Sequence, residues 1–363
     1  MTPSPTEARW PDRRFADLLR SRHPIVLAPM AGAGGVALAA GAIEGGAVGS
    51  LPCGMLAADD VREQVLQVRT RADGPINLNF FCHLMPAATD DGPWRALLAP
   101  FHERFGVAAG PEAGPLRCPF GPDLCEAVEA ARPELVSFHF GLPEQALLDR
   151  VRSSGAKVLA TAATVAEARW LAERGVDAIV AQGWEAGGHS GRFLGGRPDE
   201  QMGLFALLPQ IADAVDLPVI AAGGIADGRG IAAALILGAA AVQIGTAYLH
   251  CPESLILESH RSALRSEAGE HSVFTNLFSG GLARGLWTPP MEALGPERAE
   301  APPYPLATAA LMPLAAEAAK RGEAGFRPMW AGQSARIGGR PRSARELTEG
   351  LARDALARIA GKD

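Results

Sequence analysis

Residues 181–191 read Ala-Gln-Gly-Trp-Glu-Ala-Gly-Gly-His-Ser-Gly, a glycine-rich stretch that carries an amide, a carboxylate and an imidazole within eight positions. Glycines let the main chain approach a flat ligand closely. An imidazole titrates near neutral pH, so His189 could serve as a base or as a hydrogen-bond donor. The competing reading is a flexible loop whose histidine is simply exposed. A second histidine lies in residues 135–141, where strand alternation puts Ser137 and His139 on one face and the bulky residues on the other. His139 is either a satisfied core residue or an active-site group. Asn77 and Asn79 also share a face, and buried asparagines need partners that a heterocycle edge, a phosphate or backbone groups would supply.

Two glycine-marked turns suggest anion chemistry. Gly223-Gly224 closes one apolar run and leads to a helix start at Asp227, and Gly245-Thr246 closes the next run. Backbone N–H groups freed at such turns can cradle a phosphate, although tight turns alone also call for glycine. Ala28-Pro29-Met30-Ala31-Gly32 ends the first run in the same manner.

These residues need a scaffold, and the apolar pattern supplies one. Eight short apolar runs occur at residues 25–31, 47–51, 76–81, 135–140, 157–162, 178–182, 219–222 and 241–245. Each is nearly continuous in hydrophobicity, as parallel strands covered on both faces should be, and helical patterns separate them. Thr164 with Glu167 forms a capping-box pattern opening one helix. Asp227 caps another, and Gly238 stands where its terminating glycine belongs. Eight alternations predict an α/β chain folded as a closed (β/α)8 TIM barrel, whose active site lies at the carboxyl ends of the strands. Several of the polar residues and glycines above collect at those ends.

Two segments interrupt the rhythm. Residues 82–133 greatly exceed a normal strand-to-helix connection and read as an insertion with short helices. Beyond Cys251 the pattern is helix and loop, with no further strands. The expected organisation is an N-terminal arm at 1–23, a barrel at 24–259 containing the 82–133 insertion, and a helical extension at 260–363 packed on it.

Composition narrows the function classes. A net charge of −6 without basic clusters argues against nucleic-acid binding. Five cysteines with no CxxC pair predict neither a disulfide framework nor a zinc site. No uninterrupted apolar stretch reaches spanning length, and residues 1–22 lack a signal-peptide core, so no membrane role and a cytoplasmic location are expected. Oligomeric state cannot be read from this pattern.

The motifs at 28–32, 77–81, 182–189 and 243–247, with Trp330-Ala331-Gly332-Gln333, resemble the nitronate monooxygenases, formerly called 2-nitropropane dioxygenases. The loop at 185–189 alone is less specific, since flavin-dependent enoyl-acyl-carrier-protein reductases have a similar one. The resemblance implies a TIM barrel holding non-covalent FMN at its mouth. It implies flavin contacts from Ala28, Pro29, Met30, Asn79, Gln182, Gly187 and Gly188. It extends them to Gly223, Gly224, Gln243, Ile244, Gly245 and Thr246, with Gly332 and Gln333 joining from the C-terminal part. His189 matches the proposed catalytic base and His139 a second active-site histidine. The implied reaction is oxidation of an alkyl nitronate by O2 to a carbonyl compound and nitrite. A neutral nitroalkane would first lose its α-proton to a base. One departure is the absence of a lysine on the fifth run, which many flavin barrels carry. Tyr304 is a candidate substrate contact or an ordinary packed tyrosine.

Two other readings compete. An NAD(P)H-dependent flavin reductase of quinones or enoyl thioesters would share almost all these residues. A flavin-free phosphate-binding isomerase or aldolase would be expected to show a lysine or a carboxylate pair at the strand ends, and none is seen there.

Overall fold

The computed structural model describes residues 9–87, 90–108, 116–196, 200–337 and 339–361. Its strands in chain order are β1 (Ile25–Leu27), β2 (Gly49–Pro52), β3 (Ile76–Phe81), β4 (Leu135–His139), β5 (Lys157–Ala162), β6 (Ala178–Gln182), β7 (Gly188–His189), β8 (Val219–Ala222) and β9 (Ala241–Ile244). Eight of them, all but β7, pair in parallel in the order β1-β9-β8-β6-β5-β4-β3-β2. Two bonds close the ring, Leu27 N–H to Val48 O and Val48 N–H to Ile25 O, each 2.9 Å. The (β/α)8 barrel read from the sequence is therefore the fold.

Strand ends differ from the apolar runs for local reasons. The first run leaves the ladder after Leu27, where Pro29 lacks an N–H and Gly32 turns at φ +77°. The fourth stops at His139 because Phe140 and Gly141 both take positive φ. The eighth stops at Ile244, since Gly245 precedes the short helix Thr246–Leu249.

Period-two alternation builds the barrel interior in layers. Val26, Leu135, Leu159, Ala178, Val180, Ile220 and Ala241 face inward at the amino end, where Phe15 and Leu19 of the helix Arg14–Leu19 plug the opening. Outward residues such as Leu78, Phe80, Val136 and Phe138 pack beneath the helices. One strand shows the gradient: its inward row runs Leu135, Ser137, His139, from apolar floor to polar mouth. The Thr164 hydroxyl accepts from Glu167 N–H at 3.1 Å, and the Asp227 carboxylate accepts from Arg229 and Gly230 N–H, so both predicted caps form.

Among the described residues, two helices lie in the long connection after β3. Pro122–Ala131 packs on the barrel helix Ala58–Arg69, whereas Gly92–Phe105 packs on Thr308–Lys320. Trp94, fully buried between the latter pair, donates to Ala307 O. The last helix, Ala344–Ile359, packs across Val36–Glu44 and Gly228–Ile236.

The region beyond Cys251 is not only helix and loop. Strands β10 (Ser272–Thr275) and β11 (Ala283–Leu286) form an antiparallel hairpin. β11 also pairs with β7, setting Ala283 opposite His189 and Arg284 opposite Gly188. Both strands are only four residues long, and Ala-Arg-Gly-Leu carries no alternating apolar signal.

Candidate active site

A cavity of 480 Å3 opens at the carboxyl ends of the barrel strands. The structure brings together there Ala28, Pro29, Met30, Asn79, His139, Gln182, Gly187, Gly188, His189, Gly223, Gly224, Gln243, Gly245, Thr246 and Gly332. Two predicted positions lie elsewhere. Ile244 is fully buried in the shell between barrel and helices, as strand alternation requires of a neighbour of inward-facing Gln243. Gln333 is exposed; its backbone N–H bonds Glu185 O, and it borders a separate hollow with Leu204 and Ile337. Asn77 is also remote from the cavity, sitting fully buried and donating to Ser50 Oγ.

The loop after β6 is held by its own strand neighbours. The Gln182 amide donates from Nε2 to His189 O at 2.9 Å and accepts from Gly191 N–H at 2.6 Å. His139 Nε2 lies 3.2 Å from the same carbonyl, and its Nδ1 lies 3.2 Å from Thr161 Oγ1. A carbonyl can only accept, so Nε2 carries the His139 proton and Nδ1 accepts from the threonine. Glu167, fully buried, accepts from Phe193 N–H (2.7 Å), Leu194 N–H (3.2 Å) and Ala163 N–H (2.9 Å). Its carboxylate thus fixes the far end of the loop instead of closing back on the Thr164 N–H as a capping box would.

His189 sits on β7, and its Nε2 is 2.8 Å from Ser279 Oγ in the turn between β10 and β11. Burial first, then the nearby Arg117, His139 and His83, holds the His189 imidazole well below its usual range. Burial likewise lowers His139, to about 4, against the opposing pull of its bond to His189. Both rings are neutral at pH 7, and because both His139 nitrogens are already engaged, His189 is the one of the two placed to act on a ligand.

Close backbone approach explains the glycines. A Cβ on Gly187 would stand 2.5 Å from Gly332 N and 2.6 Å from Ala331 C, and Gly332 N–H donates to Thr246 Oγ1. At Gly188, with φ +76°, an added Cβ would meet nothing within 4 Å, so the main chain there faces open cavity. Glu185 borders the cavity, but its carboxylate accepts from Leu204 N–H at the start of the helix Leu204–Ala214.

Several residues here escaped the sequence reading. Ser279, Thr161 and Arg117 carry no motif, with only the Ser279-Gly280-Gly281 turn as a weak local signal, and Phe81 lies in the motif at 77–81 without being singled out there. Tyr304 packs behind the cavity wall, with its ring centroid 5.1 Å from His189 and 4.7 Å from His83. Among the described residues no histidine, cysteine or carboxylate cluster could hold a metal ion, and no helix is long and apolar enough to cross a membrane.

A sequence profile for nitronate monooxygenase matches residues 13–354. A nitronate monooxygenase of Paraburkholderia phytofirmans is 42% identical over 349 residues, covering 94% of each chain. One from Pseudomonas aeruginosa is 39% identical over 330 residues, 89% of this chain and 94% of its own. Among solved structures, nitroalkane oxidase from Streptomyces ansochromogenes superposes with a TM-score of 0.85 at 35% identity, covering 96% of this chain and 99% of that one. FabK from Thermotoga maritima superposes with a TM-score of 0.71 at 27% identity, covering 96% and 97%. The chain belongs to the nitronate monooxygenase family.

Proposed function

We propose that the cavity holds FMN and that the chain oxidises alkyl nitronates with O2 to a carbonyl compound and nitrite. The observation that carries this reading is the convergence of two neutral histidines, three side-chain amides and two glycine turns on one cavity at the barrel mouth. As a member of its family the enzyme is a flavin-dependent oxidoreductase.

The residues fit the cofactor. Left-handed Gly223 and Gly224 after β8, and Gly245-Thr246 after β9, line the cavity with side-chain-poor main chain, the kind of turn whose N–H groups suit a phosphate. Asn79, Gln182 and Gln243 present neutral amides of the kind that read the edge of a flat heterocycle. Glycine at 188 and at 32 leaves free space where side chains would intrude. FMN supplies, when bound, the redox chemistry and the reaction with O2 that no side chain here can perform.

The remaining work belongs to the chain. Gln182 and His139 hold the His189 carbonyl and so aim its ring. Because burial keeps that ring neutral, it is in the correct state to take the α-proton of a neutral nitroalkane. With a nitronate anion beside it, the same ring is drawn toward its protonated form and balances the charge. Phe81 and Met30 line the cavity with apolar surface that limits water.

The test is an absorbance spectrum of the purified protein, followed anaerobically by NADPH and then propyl-1-nitronate. Flavin bands indifferent to NADPH but altered by the nitronate, with nitrite formed once air returns, are expected. Rapid bleaching by NADPH would replace this reading with a reductase, and failure to take up FMN would end it.

A further inference from the structure

The long connection after β3 returns to the cavity through residues 116–120. Phe120 N–H donates to Phe81 O at 2.7 Å, tying this stretch to the end of β3. Three residues earlier, Arg117 O accepts from His83 Nε2 at 3.1 Å. The backbone is thus clamped on both sides, and it delivers the Arg117 side chain to the cavity wall. The guanidinium carbon lies 6.0 Å from the Tyr304 ring centroid, and Tyr304 packs directly on His189.

Among the described residues no carboxylate pairs with this cation. Arg117 takes part in none of the ion pairs among the described residues, and its Nε is buried without a hydrogen bond. Of the described residues, the two acidic side chains that border the cavity are already engaged, Glu185 by Leu204 N–H and Glu323 by Arg104. The other groups around it are neutral as well: burial holds His83 and His189 toward their neutral forms, and burial pushes the Tyr304 hydroxyl up to about 12, against the pull of Arg117 beside it. A half-buried cation without a counter-charge is unfavourable, and a bound anion removes that penalty.

We propose that Arg117 is the specificity-determining residue that selects the anionic nitronate over the neutral nitroalkane. The inference rests on the nitronate-oxidising function proposed above. The two substrate forms have nearly the same size and shape, so packing separates them poorly. They differ in charge: the nitronate spreads one negative charge over two oxygens, the arrangement that a guanidinium fork binds with two parallel hydrogen bonds.

The test uses the flavin-loaded enzyme with Arg117→Gln and Arg117→Lys. The readouts are kcat and KM for propyl-1-nitronate, the inhibition constant of freshly dissolved 1-nitropropane as the neutral isostere, flavin content and Tm. Arg117→Gln is expected to raise KM for the nitronate about tenfold or more, with kcat and 1-nitropropane inhibition changed less than about twofold, as loss of a charge-assisted contact requires. Arg117→Lys keeps the charge but not the fork and should fall between wild type and Arg117→Gln. If Arg117→Gln fails to fold, the lysine variant decides alone, because a raised nitronate KM with unchanged 1-nitropropane inhibition is still required. Unchanged nitronate KM, or equal weakening toward both compounds, overturns the proposal. Wild-type enzyme that does not oxidise the nitronate refutes the functional reading instead, so the two failures are distinguishable.

Discussion

Replacing Glu167 tests how the loop that carries His189 is held. The carboxylate is fully buried and accepts three backbone N–H groups, two from the loop at Phe193 and Leu194 and one from Ala163. Hydrogen bonds to a charged group contribute about 1.5–3 kcal/mol each, and they are not additive when they share an acceptor. Glu167→Gln keeps one oxygen for Phe193 and Leu194 but turns an NH2 group against Ala163 N–H. The expected loss is about 2–3 kcal/mol. Glu167→Ala removes both acceptor oxygens and all three hydrogen bonds and is expected to cost about 4 kcal/mol, less than the simple sum because Leu194 lies where water can replace its partner. For a chain of this length these losses correspond to Tm shifts of about 3 and 5 °C. The alanine variant should also lose about tenfold in kcat while retaining flavin, since the fault lies in aim and not in cofactor binding. Melting curves and steady-state oxidation of propyl-1-nitronate measure both effects. An alanine variant that melts and turns over like wild type would refute the argument that this carboxylate positions the loop.

Other outcomes follow from the same geometry. Gly187→Ala pushes a methyl group into the backbone at Ala331 and Gly332, so it should destabilise by about 2–3 kcal/mol and weaken FMN binding, read by melting and by fluorescence titration of the apoprotein. His189→Asn should retain FMN but lose turnover of neutral nitroalkanes much more than of preformed nitronate; equal losses would remove the proton-abstraction role. His260 is 8% exposed, and burial lowers it to about 4, so the unfolded chain binds the extra proton and stability falls as pH drops below about 6.5. From pH 7 to pH 5 this single group costs about 2 kcal/mol, visible as a lower urea midpoint, and His260→Gln should flatten that dependence.

Much of this site was legible because barrel geometry converts sequence position into location. A polar residue in the inward row near a strand's carboxyl end must face the mouth, and Asn79, His139, Gln182 and Gln243 obey this. Asn77, two residues before Asn79 on the same face, lies one layer deeper, which alternation alone does not reveal. Ile244 fell within a recognisable motif, yet its parity on β9 sends it outward. The hairpin β10–β11 was illegible because four-residue strands of mixed composition are defined by the partner they meet. Ser279 and Arg117 were invisible for a related reason: each arrives from a segment with no periodicity, and only the folded chain sets it beside His189 or the cavity.

The pairing of β7 with β11 has a consequence for how the enzyme comes into being. His189 is synthesised with the barrel, but the strand opposite it and the serine at its ring emerge from the ribosome only much later. The helix Ala344–Ile359, which seals the first barrel helix against the one after β8, is made later still. A nascent chain can therefore close its eight parallel strands while the histidine loop still lacks its second layer. The histidine loop thus gains its second layer only when β11 pairs with β7, and a chain released before β11 would lack both that strand and the serine at the His189 ring.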